Sequence, residues 1–346
     1  MYDTLYIKLP YSRVTDIKPI SEMPLFILKG SKHYYNGDGV FTGMYDCFYM
    51  HYPNAVHDKD KVTVFVKRDE YEIHLSLGKL FFGNNIQTLS LIEARMAMNA
   101  LGDAIGVGKD IYKGNVTRCD FSSVICTDLS PSYYFNLLDE LRGFNRSKQS
   151  DQTTLYYHRS QKDKKVKVYD KTKHAQDTNM KIPEEYEGEF LFRFEVVYYT
   201  KELNRIFKTK RHSDGVTVED ILRERAYIHF ADYWLKYYNN IMKLNDANTM
   251  IQTHENQDLK ANDIFERVVA RLINQTGIEE AFKFVELDYL AGNVSDRRRV
   301  NDAKAKVRRV ARSIPANPYH LIDELNTKMA ERAAEIKRTI MLNERN

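Results

Sequence analysis

Apolar and polar residues alternate along most of the first 200 positions, in runs rich in Val, Ile, Tyr and Phe. This period of two is typical of strands with one buried face. The first strand is TLYIKL (4–9), and a hairpin from Val62 to Leu77 joins KVTVFV to YEIHLSL across KRDE. Further strands are predicted for NVTRCDFSSVIC, TTLYYHR, KVKVYD and EFLFRFEVVYY (189–199).

Two helical stretches interrupt these strands. The first runs from about Leu91 to Ile105, and Thr88 or Ser90 can cap it. Its apolar positions at near-helical spacing are Leu89, Ile92, Met96 and Leu101. The second is SPSYYFNLLDELRGF, in which Ser130 suits the N-cap and Pro131 the first helical position.

Beyond Lys201 the pattern becomes helical, so we place a domain boundary between residues 205 and 215. A length of 346 residues also favours two domains. We therefore predict an α+β fold: an antiparallel or mixed curved sheet with helices packed on one face (1–210), followed by a helical, basic DNA-binding or interaction domain (211–346).

Composition indicates an ordered globular protein, with 43% hydrophobic and 29% charged residues. Neither a signal peptide nor an apolar run of membrane-spanning length is visible, so we expect a soluble protein that is not exported and has no membrane partner. The cysteines form no CxxC pair, which indicates reduced thiols and neither a zinc site nor a disulfide framework.

The net charge of +4 is unevenly distributed. Eight Lys/Arg face two Asp between Asp296 and Arg312, and eight Lys/Arg face three Asp between Lys148 and Lys173. The remainder of the chain is net acidic. Such basic segments are candidate contacts for nucleic-acid phosphates, although they also occur as solvated surface.

Strand alternation assigns each side chain of KVKVYDK to a face. Val166 and Val168 share one face, whereas Lys165, Lys167, Tyr169 and Lys171 share the other. Neighbouring cations favour the ionised form of a phenol, which is a weak nucleophile at neutral pH when protonated. Tyr169 is therefore a candidate nucleophile.

Three other strands each place one carboxylate on a polar face: Glu72, Asp120 and Glu195. Arg118 and Arg193 precede two of them by two residues, in RCD and RFE. If these strands are neighbours, the carboxylates form a site of hard oxygen ligands suited to Mg²⁺ or Mn²⁺. A divalent ion polarises a phosphoryl oxygen during in-line displacement.

These segments resemble a known family. MYDTLYIKLPY, YEIHLSLGKLFFGNN (71–85), VTRCDFS, VYDK and LFRFEVVYYTKEL occur in the order found in the filamentous-phage gene-two replication proteins, the rolling-circle initiator endonucleases. Plasmid rolling-circle initiators and relaxases are more distantly similar. The resemblance covers roughly residues 1–235.

The resemblance implies that Tyr169 attacks one strand at a replication origin, forms a 5′-phosphotyrosine link and later rejoins the strand. Lys171 would stabilise charge on the phosphorane. No His-hydrophobe-His pair is present, so Asp120 and Glu195, with Glu72 as a third ligand, would hold Mg²⁺ or Mn²⁺. Origin DNA and the helicase and polymerase of a host bacterium would be the partners, in the host cytoplasm.

Several alternatives remain open at this point. Tyr156 and Tyr157 compete with Tyr169 as nucleophile. A non-enzymatic DNA-binding replication regulator and a plasmid relaxase are the rival functions.

The residues predicted to contact DNA are Arg118, Arg193, Lys165, Lys167, Lys79, Arg297, Arg298, Arg299, Arg308 and Arg309.

Overall fold

A computed structural model describes residues 2–35, 41–52, 61–148, 153–159, 163–207, 215–243, 283, 286, 297–313 and 318–341. Its strands are β1 (Tyr2–Pro10), β2 (Ile27–Tyr35), β3 (Phe41–His51), β4 (Lys61–Val66), β5 (Glu70–Ser76), β6 (Asn115–Thr127), β7 (Leu138–Leu141), β8 (Asn145–Lys148), β9 (Thr154–His158), β10 (Lys164–Asp170), β11 (Phe190–Tyr199) and β12 (Ile241–Lys243).

The α-helices are α1 (Leu77–Phe82), α2 (Leu91–Ala104), α3 (Pro131–Phe135), α4 (Lys171–Asp177), α5 (Thr200–Ile206), α6 (Val218–Ile221), α7 (Glu224–Asn239), α8 (Arg297–Ser313) and α9 (Pro318–Met341). No helix in the described ranges is both long enough and apolar enough to span a bilayer.

Ten of the strands form one sheet in the order β2-β3-β4-β5-β1-β6-β11-β10-β9-β8, and the pairings between these strands are antiparallel. The predicted α+β fold with a helical C-terminal part is confirmed. The predicted hairpin from Val62 to Leu77 corresponds to β4 and β5, which are joined by a turn in which the Lys67 amide donates to the Glu70 carbonyl at 3.0 Å.

Helices cover one face of this sheet. Apolar and polar side chains alternate along its strands, so the apolar ones gather on that face. Tyr2 on β1 packs edge-on against Tyr227 and Phe230 of α7. The indole of Trp234, also on α7, donates to the carbonyl oxygen of Phe194 on β11 at 2.9 Å. Burial of these large rings makes the helix and the sheet parts of one core.

Helix α9 completes this core. Its residues Leu321, Leu325, Met329, Ala333 and Ile336 are buried in the same cluster as the sheet residues. Arg332 of α9 also donates to the Ser123 hydroxyl on β6 at 2.9 Å and to the Thr88 hydroxyl at 2.6 Å. The described helices α7 and α9 therefore pack in the same core as the sheet.

Helix α2 begins where the sequence predicts. The Ser90 hydroxyl accepts from the Glu93 amide at 3.2 Å, and the Glu93 carboxylate accepts from the Ser90 amide at 2.7 Å, which is a complete capping box. The predicted buried face is partly wrong, because Ile92 and Met96 are 44% and 53% exposed. Short residues of this helix, including Ala94 and Ala97, face the core instead.

The second predicted helix is also shorter than expected. Helix α3 ends at Phe135, and the following Leu138 and Leu141 lie in β7, which pairs with β12. Both leucines are almost fully buried. Pairing with a strand about 100 residues later overrides the local helical pattern, a long-range effect that a sequence window does not contain.

Candidate active site

Strands β6, β11 and β10 bring together several of the side chains that the polar-face analysis selected. On β10, Val166 and Val168 are fully buried, whereas Lys167 and Tyr169 point to the opposite face. Lys167 pairs with Glu195 of β11, and Tyr169 pairs with Arg193. Strand β6 then places Asp120 next to this group across β11. The fold thus brings together Asp120 and Glu195, two of the three carboxylates that were predicted to converge.

A cleft of about 340 Å³ opens on this face. Four Lys/Arg and three Asp/Glu contribute to its walls, so the cationic groups outnumber the carboxylates. The charged, phenolic and imidazole side chains of the lining are Asp3, Tyr52, Lys61, His74, Lys79, Arg118, Asp120, Lys167, Tyr169, His174 and Glu195.

Asp120 and Glu195 form a buried acidic pair in the cleft floor. Arg118 donates to Asp120 through Nε at 2.8 Å and through a terminal nitrogen at 2.6 Å. The Lys167 ammonium contacts the Glu195 carboxylate and lies 3.7 Å from Asp120 Oδ2. Burial, together with the charge of Glu195, raises the pKa of Asp120 to about 7. Burial also acts to raise the pKa of Glu195, but Lys167 and Arg193 outweigh it and keep that carboxyl ionised.

This donor set fits Mg²⁺ or Mn²⁺, because magnesium is commonly bound by one or two carboxylates with water and substrate phosphate as the remaining ligands. Burial first, and the charge of Glu195 second, raise the pKa of Asp120 despite the nearby Arg118 and Lys167. Within the described ranges no group of three or more His, Cys, Asp or Glu side chains is suitably arranged. Of the three predicted ligands, the fold brings together Asp120 and Glu195.

Glu72, the predicted third ligand, lies outside the cleft. Its carboxylate contacts the Lys67 ammonium, and it forms a hydrogen bond of 2.8 Å with His74 Nε2. Strand β1 separates β5 from β6, so Glu72 is two strands away from Asp120, about 10 Å in the plane of the sheet. The structure does not bring Glu72 to the acidic pair.

Tyr169 forms part of the cleft wall, and its ring centroid lies 5.8 Å from the guanidinium carbon of Arg193. Burial raises the pKa of the phenol well above its ordinary value, and Arg193 only partly opposes this effect. The phenol is therefore protonated at neutral pH. His174 lines the same cleft, with its ring 5.7 Å from that of Tyr169, and burial with the nearby Lys171 lowers its pKa to about 4.

A network of buried polar groups lies directly beneath Tyr169. Arg193 is fully buried, contacts the Asp3 carboxylate and the Asn85 carbonyl, and donates to the Ser122 hydroxyl at 2.6 Å. Lys171 is equally buried and donates to the Asn85 side-chain oxygen at 2.6 Å. Burial and the charge of Arg193 lower the pKa of Lys171 well below its ordinary value.

These positions correct two predictions. Arg193 was expected to contact DNA, and Lys171 was expected to stabilise charge on the phosphorane. Neither side chain reaches the surface, because each is fully buried and bonded to Asn85. In this conformation both residues hold the strand and the helix that carry Tyr169 and His174.

Asp3, Asn85 and His174 belong to the site although the sequence did not single them out for chemistry. Asp3 was not selected, because strict alternation from Leu5 and Ile7 assigns it to the buried apolar face. A β-bulge between Tyr2 and Leu5 reverses that assignment, so Asp3 lines the cleft while Tyr2 packs under the helices. Asn85 and His174 lie in the segments FGNN and YDKTKH, next to the quoted motifs, and this position was the only sequence indication of a role in the site.

The two competing tyrosines have distinct positions. Tyr157 is fully buried on the helical side and donates to the Asp139 carbonyl at 2.9 Å, which removes it from the cleft. Tyr156 faces the same side as Lys167, its partner in β10, but lies outside the cleft lining.

The predicted DNA-contacting cations fall into two groups. Arg118, Lys79 and Lys167 line the cleft, and Lys165 lies beside it on β10. On α8, Arg298 and Arg299 are exposed, and Arg297 pairs with Glu286 at 2.8 Å. Arg308 and Arg309 belong to α8, but their side chains lie outside the described residues.

Comparison with known proteins gives little further information. No protein-family model and no curated protein matches the chain. Similar solved structures exist, and one is described here. It is the rolling circle replication initiator protein from Geobacillus stearothermophilus, which is 12% identical, with 72% of this chain and 89% of that chain covered and a TM-score of 0.35. We transfer no residue role from that protein.

Proposed function

We propose that this protein is a DNA endonuclease that nicks one strand of a replication origin through Tyr169 and later rejoins it. The observation that carries the proposal is the cleft itself. A tyrosine, a buried pair of carboxylates and an excess of cations line one cavity on the sheet face opposite helices α7 and α9. This combination suits phosphodiester transfer to a phenol, which needs a nucleophile and groups that neutralise charge on the phosphate.

Lys79, Lys167 and Arg118 favour binding of a phosphodiester in the cleft, because the phosphate is anionic and they are cationic. The Tyr169 oxygen attacks the phosphorus, a new P–O bond forms, and the bond to the 3′ oxygen of the preceding nucleotide breaks. The phosphodiester is exchanged for a phosphotyrosine diester, so strand rejoining needs no ATP.

Because the phenol is protonated in the free protein, its proton must leave during the attack. We assign His174 as the group that relays this proton to solvent, since its imidazole lines the cleft with its ring 5.7 Å from that of Tyr169 and is neutral at physiological pH. The departing 3′ oxygen takes a proton from solvent. Asp120 and Glu195 would hold Mg²⁺ or Mn²⁺, which would supply charge neutralisation at a non-bridging phosphate oxygen.

The rolling-circle context extends this proposal, and it rests on the ordered motifs that resemble the gene-two replication proteins. A phage or plasmid origin would be the substrate, and a host helicase and polymerase would act after the nick. The sequence has no GxxxxGK[ST] phosphate-binding loop, so we assign the unwinding step to another protein.

The test is formation of a covalent adduct. Wild-type protein is incubated with Mg²⁺ and labelled single-stranded DNA carrying the origin of the replicon that encodes it, and the products are separated on a denaturing gel. We expect an adduct from the wild type and none from Tyr169→Phe. Tyr233→Phe is the matched control, because Tyr233 is a partly exposed tyrosine on α7 at the helical side of the sheet.

Each failure has a distinct meaning. An adduct with Tyr169→Phe would refute the assignment of the nucleophile. A wild-type protein that binds the origin without forming an adduct would be a DNA-binding replication regulator. If wild-type protein nicks equally well in EDTA and in Mg²⁺, and Asp120→Ala nicks as well as wild type, the acidic pair holds no required metal ion.

A further inference from the structure

The open face of the sheet carries aromatic and cationic side chains beyond the cleft. On β9, the rings of Tyr156 and His158 lie 5.4 Å apart with an angle of 30° between their planes. Lys165 of β10 places its ammonium 4.0 Å from the Tyr156 ring centroid. All three side chains are partly exposed. This cluster adjoins the active site, because Tyr156 pairs with Lys167, which lines the cleft.

A second row of rings and cations continues across the neighbouring strands. The Arg118 guanidinium lies 4.9 Å from the Tyr6 ring centroid and 6.0 Å from that of Tyr199. Tyr6 in turn stacks on His74 at 3.7 Å with nearly parallel planes. Tyr199, Arg118, Tyr6 and His74 are partly exposed and belong to four adjacent strands.

We propose that the surface formed by Tyr156, His158 and Lys165 binds the unpaired DNA strand as it continues beyond Tyr169, with bases stacking on the rings. This inference rests on the proposed function and adds to it the path of the strand and the mode of its recognition. Sequence-tolerant binding of single strands combines aromatic platforms with cations that follow the backbone, and both are present here.

The chemistry favours a single strand over a duplex. Rings lying on a sheet face offer stacking only to bases that are unpaired and unstacked from their neighbours. Lys165 supplies a phosphate contact within the same cluster, and cation-π contact with Tyr156 positions its ammonium. A duplex would meet the cations but leave the rings unused.

The chain contains a matched control on its opposite side. On α7, the Tyr233 ring lies 4.4 Å from that of His229 with an angle of 39° between their planes, and the Lys236 ammonium lies 5.5 Å from the Tyr233 ring centroid. The composition is the same His-Tyr-Lys trio, but it lies on a helix at the back of the sheet. Any effect of general charge or aromatic content will therefore appear equally at both clusters.

The experiment measures binding without cleavage. Fluorescence anisotropy of a labelled oligothymidine is recorded in EDTA for the full-length wild type and for Tyr156→Ala, Lys165→Gln, Tyr233→Ala and Lys236→Gln. Stacking of one base contributes about 1–3 kcal/mol, so we expect Tyr156→Ala to weaken binding at least about fivefold. The two α7 variants should bind within about twofold of wild type, and a duplex of the same length should not distinguish Tyr156→Ala from wild type.

Crosslinking provides an independent measurement. An oligonucleotide containing 5-iodouracil is irradiated with wild-type protein, and we expect the crosslinked peptide to contain Tyr156 or His158. Crosslinks confined to α7 or α8, or equal losses at Tyr156 and Tyr233, would overturn the proposal. Because neither measurement needs cleavage, a missing Tyr169 adduct with normal oligothymidine binding would refute the nicking mechanism alone.

Discussion

The buried contact between Asp3 and Arg193 offers the sharpest test of how the site is held. Arg193 is fully buried and Asp3 is 4% exposed, so water replaces neither partner if the other is removed. Arg193→Met keeps the length of the side chain but deletes donors to Asp3, Ser122 and the Asn85 carbonyl. Asp3→Asn keeps the shape of the acceptor but removes its charge.

Breaking one side of a buried ion pair costs about 3–5 kcal/mol. We expect that loss in the free energy of unfolding for Arg193→Met, because among the described residues Asp3 would keep Ser76 at 2.7 Å and Asn85 at 3.4 Å as hydrogen-bond donors. Asp3→Asn should cost less, since Arg193 retains Ser122 and lies 3.7 Å from Glu195. The double variant should recover about 2 kcal/mol relative to the sum of the single changes.

Urea unfolding followed by far-UV circular dichroism measures these energies for the four proteins of the cycle. The control cycle uses Arg223 and Glu219, whose contact of 3.4 Å joins side chains that are 60% and 65% exposed. Exposed pairs contribute about 0.2–1 kcal/mol. A coupling energy for Asp3 and Arg193 no larger than that of the control pair would refute the view that this network holds Tyr169 in place.

Further predictions concern the metal, the capping box and a rejected nucleophile. Because Asp120 releases its proton near pH 7, Mn²⁺ affinity measured by calorimetry should rise between about pH 6 and about pH 8 in the wild type and stay flat in Asp120→Asn; a flat wild-type profile contradicts this. Ser90→Ala should destabilise the fold by about 1 kcal/mol in urea, whereas Ser90→Thr should be nearly neutral; equal losses would show that the capping box contributes nothing. Tyr157→Phe should lower stability by about 1 kcal/mol through its lost bond to Asp139, yet still form the covalent adduct; loss of the adduct at normal stability would return Tyr157 to the list of nucleophiles.

Alternation and capping signals were sufficient for the strands that build the site. The faces of β10 and β11 follow from period-two patterns, and the register between them places Lys167 opposite Glu195. The α2 start follows from the Ser90 capping box. Local patterns of this kind succeed because each depends on residues that are neighbours in the sequence.

The errors share a physical cause, which is that distant pairings decide the outcome. The bulge that turns Asp3 into the cleft depends on the pairing of β1 with β6. The strand at Leu138 and Leu141 depends on β12, and the isolation of Glu72 depends on the insertion of β1 between β5 and β6. The burial of Arg193 similarly requires Asp3 from the first strand, 190 residues away in the sequence. Periodicity identifies the face of the sheet on which a residue lies, but not how far it is from a residue on another strand.

The contacts of Arg332 have a consequence for how the protein is made. A ribosome releases β6 long before it releases α9, yet α9 supplies Leu325 and Met329 to the core beneath that strand and bonds to Ser123 on it. In a nascent chain, or in a fragment truncated before residue 318, the apolar core residues that α9 covers are exposed to solvent. The protein should therefore complete its core only after synthesis is nearly complete, and a fragment of residues 1–210 should aggregate instead of folding alone.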